Sequence, residues 1–144
     1  MKEIEKIYNE YVKKIISIFG NKETTTTILN NIGYKLFKNK YKGTYASNQV
    51  PLLNNKQPYC IINVDKSNMQ GSHWVAVAYK NKKVYVYDSF GRKTKSLIPH
   101  FRYKIYQDTE YDPEQNKSED NCGQRCLAWL LIFDKYGPKK ALQI

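Results

Sequence analysis

Four residues, in the chain order His73, Asp88, Gln115 and Cys122, make a complete set of parts for acyl transfer through a thiol. Cys122 supplies a nucleophile and His73 a base to take its proton. Asp88 supplies a carboxylate to orient that base, and Gln115 an amide that donates to an oxyanion. Each has a plainer reading alone. A cysteine heading an apolar helix is also a small buried hydrophobe, and a loop glutamine says little. Their order and local contexts join them into one proposition.

Cys122 sits in the predicted first turn of a helix over residues 122–136, where unpaired N–H groups and the helix dipole favour a thiolate. Gly123 would let the backbone approach a substrate with no Cβ in the way. His73 opens a predicted strand after Gly71-Ser72. Trp74 then either walls a cleft or belongs to the core. Asp88 ends the partner strand, which brings it back beside position 73 or 75 and within reach of the imidazole. The same aspartate could instead cap the Ser89-Phe90-Gly91 turn. Gln115 precedes the thiol by seven residues, and Gln124 is the next candidate for its role. Cys60 and Cys126 read as core, and His100, beside Pro99, as a surface histidine. Three cysteines and two histidines at these spacings form no zinc pattern and no disulfide framework, so no metal is expected.

The elements that must position these residues follow from periodicity. Residues 2–19 read as an amphipathic helix with Ile4, Ile7, Tyr8, Tyr11, Ile15, Ile18 and Phe19 on one face and Gly20 closing it. A shorter helix over 28–37 carries Ile28, Leu29, Ile32 and Leu36. From Lys38 to Pro58 the chain is polar and turn-rich, and a long ordered loop is expected. Tyr59–Val64 is an apolar strand. Ser72–Lys80 and Lys83–Ser89 alternate about Asn81-Lys82 and predict a hairpin. Arg102–Gln107 is a weaker fourth strand, with a loop or short helical turn between Gly91 and His100 and a polar loop over 108–121. Asp120 or Asn121 would cap the last helix, and Gly137-Pro138 would stop it. The expected class is α+β, a small mixed or antiparallel sheet packed on a central helix. One domain spans 1–144: an N-terminal helical region over 1–37, the sheet over 59–107 and the central helix over 122–136.

An apolar content of 41% in 144 residues supports a folded globule with one core. No apolar run reaches the length that crosses a bilayer, and the charged N-terminal residues do not suit a secretion signal, so neither a membrane partner nor export is expected. The net charge of +11 points to polyanions, DNA above all. Lysines spread along the chain to solvate its surface would give the same composition.

The residues also carry a resemblance. Gly43-Thr44-Tyr45, Tyr59–Asn63, the run Gly71-Ser72-His73-Trp74-Val75-Ala76, Tyr87-Asp88-Ser89-Phe90-Gly91, and Gln115 with Cys122-Gly123 and Cys126 resemble segments of the adenovirus maturation protease family. More widely, they resemble the cysteine protease clan that includes SUMO-deconjugating enzymes. The likeness runs from about Asn31 to Trp129. It departs in two places. The carboxylate is Asp88 rather than glutamate, as in the deconjugating branch. Lys104 stands where the adenoviral enzymes hold a cysteine for a covalent peptide activator.

The resemblance implies the adenovirus-protease fold, His73, Asp88, Gln115 and Cys122 as catalytic residues, and Trp74 and Gly123 at the substrate cleft. It implies a monomeric cysteine endopeptidase that matures capsid precursors at small-residue, Gly-containing sites inside the virion or host cell, with DNA as a non-specific activator. Small size and lysine-rich composition suggest a virophage or other small DNA virus. Two alternatives share the sequence evidence: an isopeptidase that removes ubiquitin-like modifiers, and a basic DNA-binding virion protein without turnover.

Overall fold

The computed structural model describes residues 2–64, 73–108, 113, 115 and 120–144. The order of elements is α1 (Glu3–Phe19), α2 (Thr26–Phe37), a 3₁₀ turn (Lys38–Lys40), β1 (Tyr41–Tyr45), β2 (Tyr59–Asn63), β3 (Trp74–Lys80), β4 (Lys83–Tyr87), α3 (Thr94–Leu97), α4 (Cys122–Tyr136) and α5 (Pro138–Ala141). The fold is α+β, as the sequence predicts. Its sheet has the order β1-β2-β3-β4, with β1 parallel to β2 and the other pairs antiparallel. Among the described residues no helix is long and apolar enough to cross a membrane.

Both faces of the sheet are covered, which is why β2 and β3 are apolar almost throughout rather than alternating. On one face Tyr59, Ile61, Trp74, Ala76, Ala78, Tyr85 and Tyr87 share a core with Cys126, Leu127, Trp129, Leu130 and Phe133 of α4. Ala76 and Ala78 present little bulk on β3, the strand against which α4 packs. On the other face Cys60, Ile62, Val75, Val77, Val84 and Val86 pack under Val50, Leu53 and Ile98 from the connecting segments. α4 is thus wrapped by the sheet on one side and α1 on the other. Its burial nearly all round matches its apolar sequence.

The hairpin forms as expected. Asn81 and Lys82 both take positive φ, 51° and 67°, the backbone of a two-residue turn whose twist matches its strands. That turn pairs Lys80 with Lys83 and Ala76 with Tyr87. Counting on, position 88 falls opposite Val75 and position 90 opposite His73.

Four expectations need correction. The loop predicted for Lys38–Pro58 contains β1, an edge strand whose sequence Tyr-Lys-Gly-Thr-Tyr lacks an apolar run because it has a strand neighbour on one side only. The fourth strand predicted at Arg102–Gln107 is a single parallel bridge from Gln107 to Tyr85. Arg102 and Tyr103 instead reach the segment before β2, where Tyr103 Oη takes a hydrogen bond from Leu53 N at 2.7 Å and donates to Pro51 O at 2.8 Å. The buried stripe of α1 is Ile4, Tyr8, Val12 and Ile15, with Ile18 63% exposed. α2 begins at Thr26, capped by the Thr25 hydroxyl on Ile28 N, and buries Leu29, Ile32, Gly33 and Phe37. Residues 65–72 and most of the predicted loop over 108–121 lie outside the described residues.

Candidate active site

The site lies at one end of the sheet, where β3 begins, β4 ends and α4 starts. The hairpin register does most of the positioning. His73 Nε2 is hydrogen-bonded to Asp88 Oδ1, and both side chains are buried. Asp88 accepts the Nε2–H, so the ring nitrogen left to exchange a proton with a nucleophile is Nδ1.

Asp88 also caps the turn that follows it, so its two sequence readings hold together. Its main-chain carbonyl accepts from Gly91 N at 2.8 Å, and Oδ1 accepts from Phe90 N at 3.2 Å. Oδ2 accepts from Arg92 N and Arg92 Nε, each at 3.0 Å. Burial pushes this carboxyl's pKa up, but His73 and then Arg92 outweigh burial and hold it below the ordinary carboxylate range. The Phe90 ring stacks on the imidazole of His73 at 5.0 Å between centroids and 28° between planes.

Cys122 is the first residue of α4 and is buried. Asn121, expected to cap the helix, does not. Its Oδ1 takes Arg125 Nε at 3.0 Å and its Nδ2 donates to Asn21 Oδ1 at 2.8 Å. The backbone N–H groups of Cys122 and Gly123 in the first turn bear on the thiol. Burial pushes the Cys122 thiol up to about 11, against the pull of the backbone N–H groups of Trp74, Gly123 and Cys122 itself, while the Asp88 charge raises it further. Trp74 follows His73 in the chain, so its N–H ties the thiol to the start of β3. Cys126, one turn on, donates to Trp74 O at 3.4 Å. Among the described residues no hydrogen bond joins the Cys122 thiol to His73. Such contacts are often loose before substrate binds.

Gln115 is buried beside the same turn. Its Oε1 accepts from Ser89 Oγ at 2.5 Å, and its backbone N–H donates to Ser89 O at 3.1 Å. With the carbonyl of the amide committed to Ser89, the orientation of the side chain is set and Nε2 is its donating end.

The structure thus joins His73 to Asp88 directly, anchors Gln115 to the residue after Asp88, and links Cys122 to the residue after His73. Three other sequence expectations change. At Gly123 a Cβ would lie 2.3 Å from Thr24 Oγ1 and 3.1 Å from Leu29 Cδ2, so the missing side chain makes room for the packing of residues 24–29 on the head of α4. Trp74 is 4% exposed and sits in the core against α4, the second of its two readings. Gln124 is no alternative to Gln115, because its Nε2 donates to Gly20 O and Lys22 O, both at 2.9 Å. Cys60 and Cys126 are fully buried and His100 is exposed, as expected.

Sequence reasoning passed over Ser89, Phe90 and Arg92 as working parts. Their signal was density: within five residues the run Asp-Ser-Phe-Gly-Arg holds the carboxylate, the anchor of the amide, the ring under the imidazole and a cation.

A family model described as adenovirus endoprotease matches residues 41–143. That span covers β1 to α5 and all four candidate residues. No curated protein matches the chain.

Proposed function

We propose, from the premise that this chain belongs to the adenovirus endoprotease family and is a protease, that it is a cysteine endopeptidase acting through Cys122. The observation that carries the reading is the buried His73–Asp88 pair beside the helix end that holds the thiol. Nδ1 of His73 takes the Cys122 proton as Sγ bonds to the scissile carbonyl carbon. The carbonyl π electrons move to oxygen, where the Cys122 N–H and Gln115 Nε2 stabilise the charge. Collapse of this intermediate breaks the C–N bond, and the imidazolium returns its proton to the leaving amine. Water, deprotonated by His73, then releases the acid and restores the thiol. Asp88 holds the imidazole throughout and stays ionised.

The substrates we propose are virion precursor proteins cut at small-residue, Gly-containing sites, inside the virion or the infected cell, with the enzyme acting as a monomer. The test is incubation with a co-encoded capsid precursor and N-terminal sequencing of the fragments. Release of an intact ubiquitin-like protein from an isopeptide, with no cut in the precursor, would replace this reading by deconjugation. No acyl transfer at all would leave a basic virion protein.

Gln115→Ala is expected to lower kcat by roughly 10²–10³-fold, the usual effect of deleting one oxyanion donor. Equal turnover in the variant and the parent would remove Gln115 from the oxyanion site.

The charge of +11 supports non-specific DNA as an activator that concentrates enzyme and precursor together. Binding should then weaken steeply with salt, log K falling by about 0.9 per phosphate neutralised for each unit of log[salt]. Anisotropy with a duplex at about 50 mM salt is the check. No binding there would strike DNA from the mechanism.

A further inference from the structure

Asp88 differs from a simple base-orienting carboxylate in being held at both oxygens. One oxygen serves His73, and the other is taken by the main-chain N–H and the guanidinium Nε of Arg92. A carboxylate bound by one oxygen can pivot about its Cβ–Cγ bond, and the imidazole would follow. The Arg92 guanidinium also lies over the Phe90 ring, 5.1 Å from its centroid, while the other contact of that ring is the imidazole of His73. Guanidinium and imidazole thus each lie against the phenyl ring, and each bonds Asp88.

We infer that Arg92 is a positioning residue of this site: it pins the second oxygen of Asp88 and presses Phe90 against His73, so that one five-residue segment fixes the imidazole at its edge and on its face. The inference rests on the protease reading above. Arg92 touches neither the thiol nor, on this reading, the substrate, so its effect must pass through Asp88 and His73.

The charges give the role a signature that packing alone would lack. Among the described residues, the titratable and charged groups that bear on Asp88 include His73 at the start of β3, Arg92 beyond β4, and the thiols of Cys122 and Cys126 on α4. Removing the guanidinium takes away a cation that helps keep Asp88 ionised, so the carboxylate protonates at higher pH. It also leaves the Asp88 charge less compensated, which disfavours the Cys122 thiolate. Both effects move the acid limb of activity toward higher pH.

The experiment compares the full chain with Arg92→Ala, Arg92→Lys and Arg92→Gln. The Arg92 side chain is 45% exposed, so truncation opens no internal cavity, and circular-dichroism melts control for folding. Two quantities are read: the pH profile of kcat and KM on a Gly-containing peptide, and the pH dependence of Cys122 alkylation by iodoacetamide. The expected result for Arg92→Ala is a drop in kcat of ~10- to 100-fold with KM nearly unchanged, the scale of a small misplacement of a catalytic group. The acid limb and the alkylation midpoint both move up. Arg92→Lys recovers most of the loss, and Arg92→Gln, which lacks the charge, does not. An Arg92→Ala variant with parental kcat and an unmoved acid limb would overturn the inference. If the parent cleaves no acyl substrate, the protease reading falls separately. The alkylation midpoint then judges Arg92 alone: a rise upholds the clamp and an unchanged midpoint refutes it.

Discussion

Cys122→Ala is expected to abolish peptide cleavage, a fall in kcat of roughly 10⁶-fold, while the chain keeps its fold. The size follows from removing the only atom that forms the covalent bond, after which the base and the oxyanion donors have nothing to act on. The fold should survive because alanine is the best helix former and the change deletes one buried sulfur, at a cost of roughly 1 kcal/mol in packing. Cys60→Ala and Cys126→Ala make the contrast. Both thiols are fully buried, and burial pushes both pKa values well above the ordinary thiol range. These variants should keep turnover and lose stability. Mass mapping of an alkylated sample gives the second check: label on Cys60 or Cys126, with Cys122 unlabelled, would mean the nucleophile has been misassigned.

The second large effect is at His73. His73→Ala should cost nearly as much as losing the thiol, and about 10- to 100-fold more than Asp88→Asn, because deleting the base removes the proton acceptor while deleting its orienter leaves it present but misaligned. Asparagine is the better probe at 88. Alanine would also leave the Arg92 guanidinium without the carboxylate that it bonds. The thiol reports the same chemistry without substrate. Burial pushes Cys122 up to about 11, so a thiol deprived of the imidazole should alkylate slowly at neutral pH. A His73→Ala variant that alkylates as fast as the parent at pH 7 would show that the helix end alone generates the thiolate.

The His73–Asp88 pair could be read from the sequence because a two-residue turn fixes strand register by itself. Once Asn81-Lys82 is the turn, the position of residue 88 follows from counting. The central helix was equally plain, since its apolar run from Cys126 to Phe133 is stopped by Gly137-Pro138. What escaped depended on partners distant in the chain. β1 is polar and earns its strand only by lying against β2, fourteen or more residues ahead of it. The segment after His100 resembles a strand, but Tyr103 is held by backbone groups at positions 51 and 53. Gln124 looked like an alternative to Gln115, and Gly123 like a space kept for substrate, because both adjoin the thiol. Their real neighbours, residues 20–29, are about a hundred positions away. Arg92 was hidden for the opposite reason. It lies so close to Asp88 in the chain that no spacing marked it out, and only its bonds to the carboxylate do so.

Those contacts between residues 20–29 and the head of α4 bear on inheritance. The family match starts at residue 41, yet Asn21 holds Asn121, Thr24 fills the space a Cβ on Gly123 would need, and the carbonyls of Gly20 and Lys22 hold Gln124. The two helices before residue 41 are thus not a detachable leader that lineages could exchange freely. A transplanted N-terminal region would arrive with carbonyls and side chains cut for another helix head. Change at positions 20–24 therefore has to be answered at 121–124, the turn of α4 that carries Cys122.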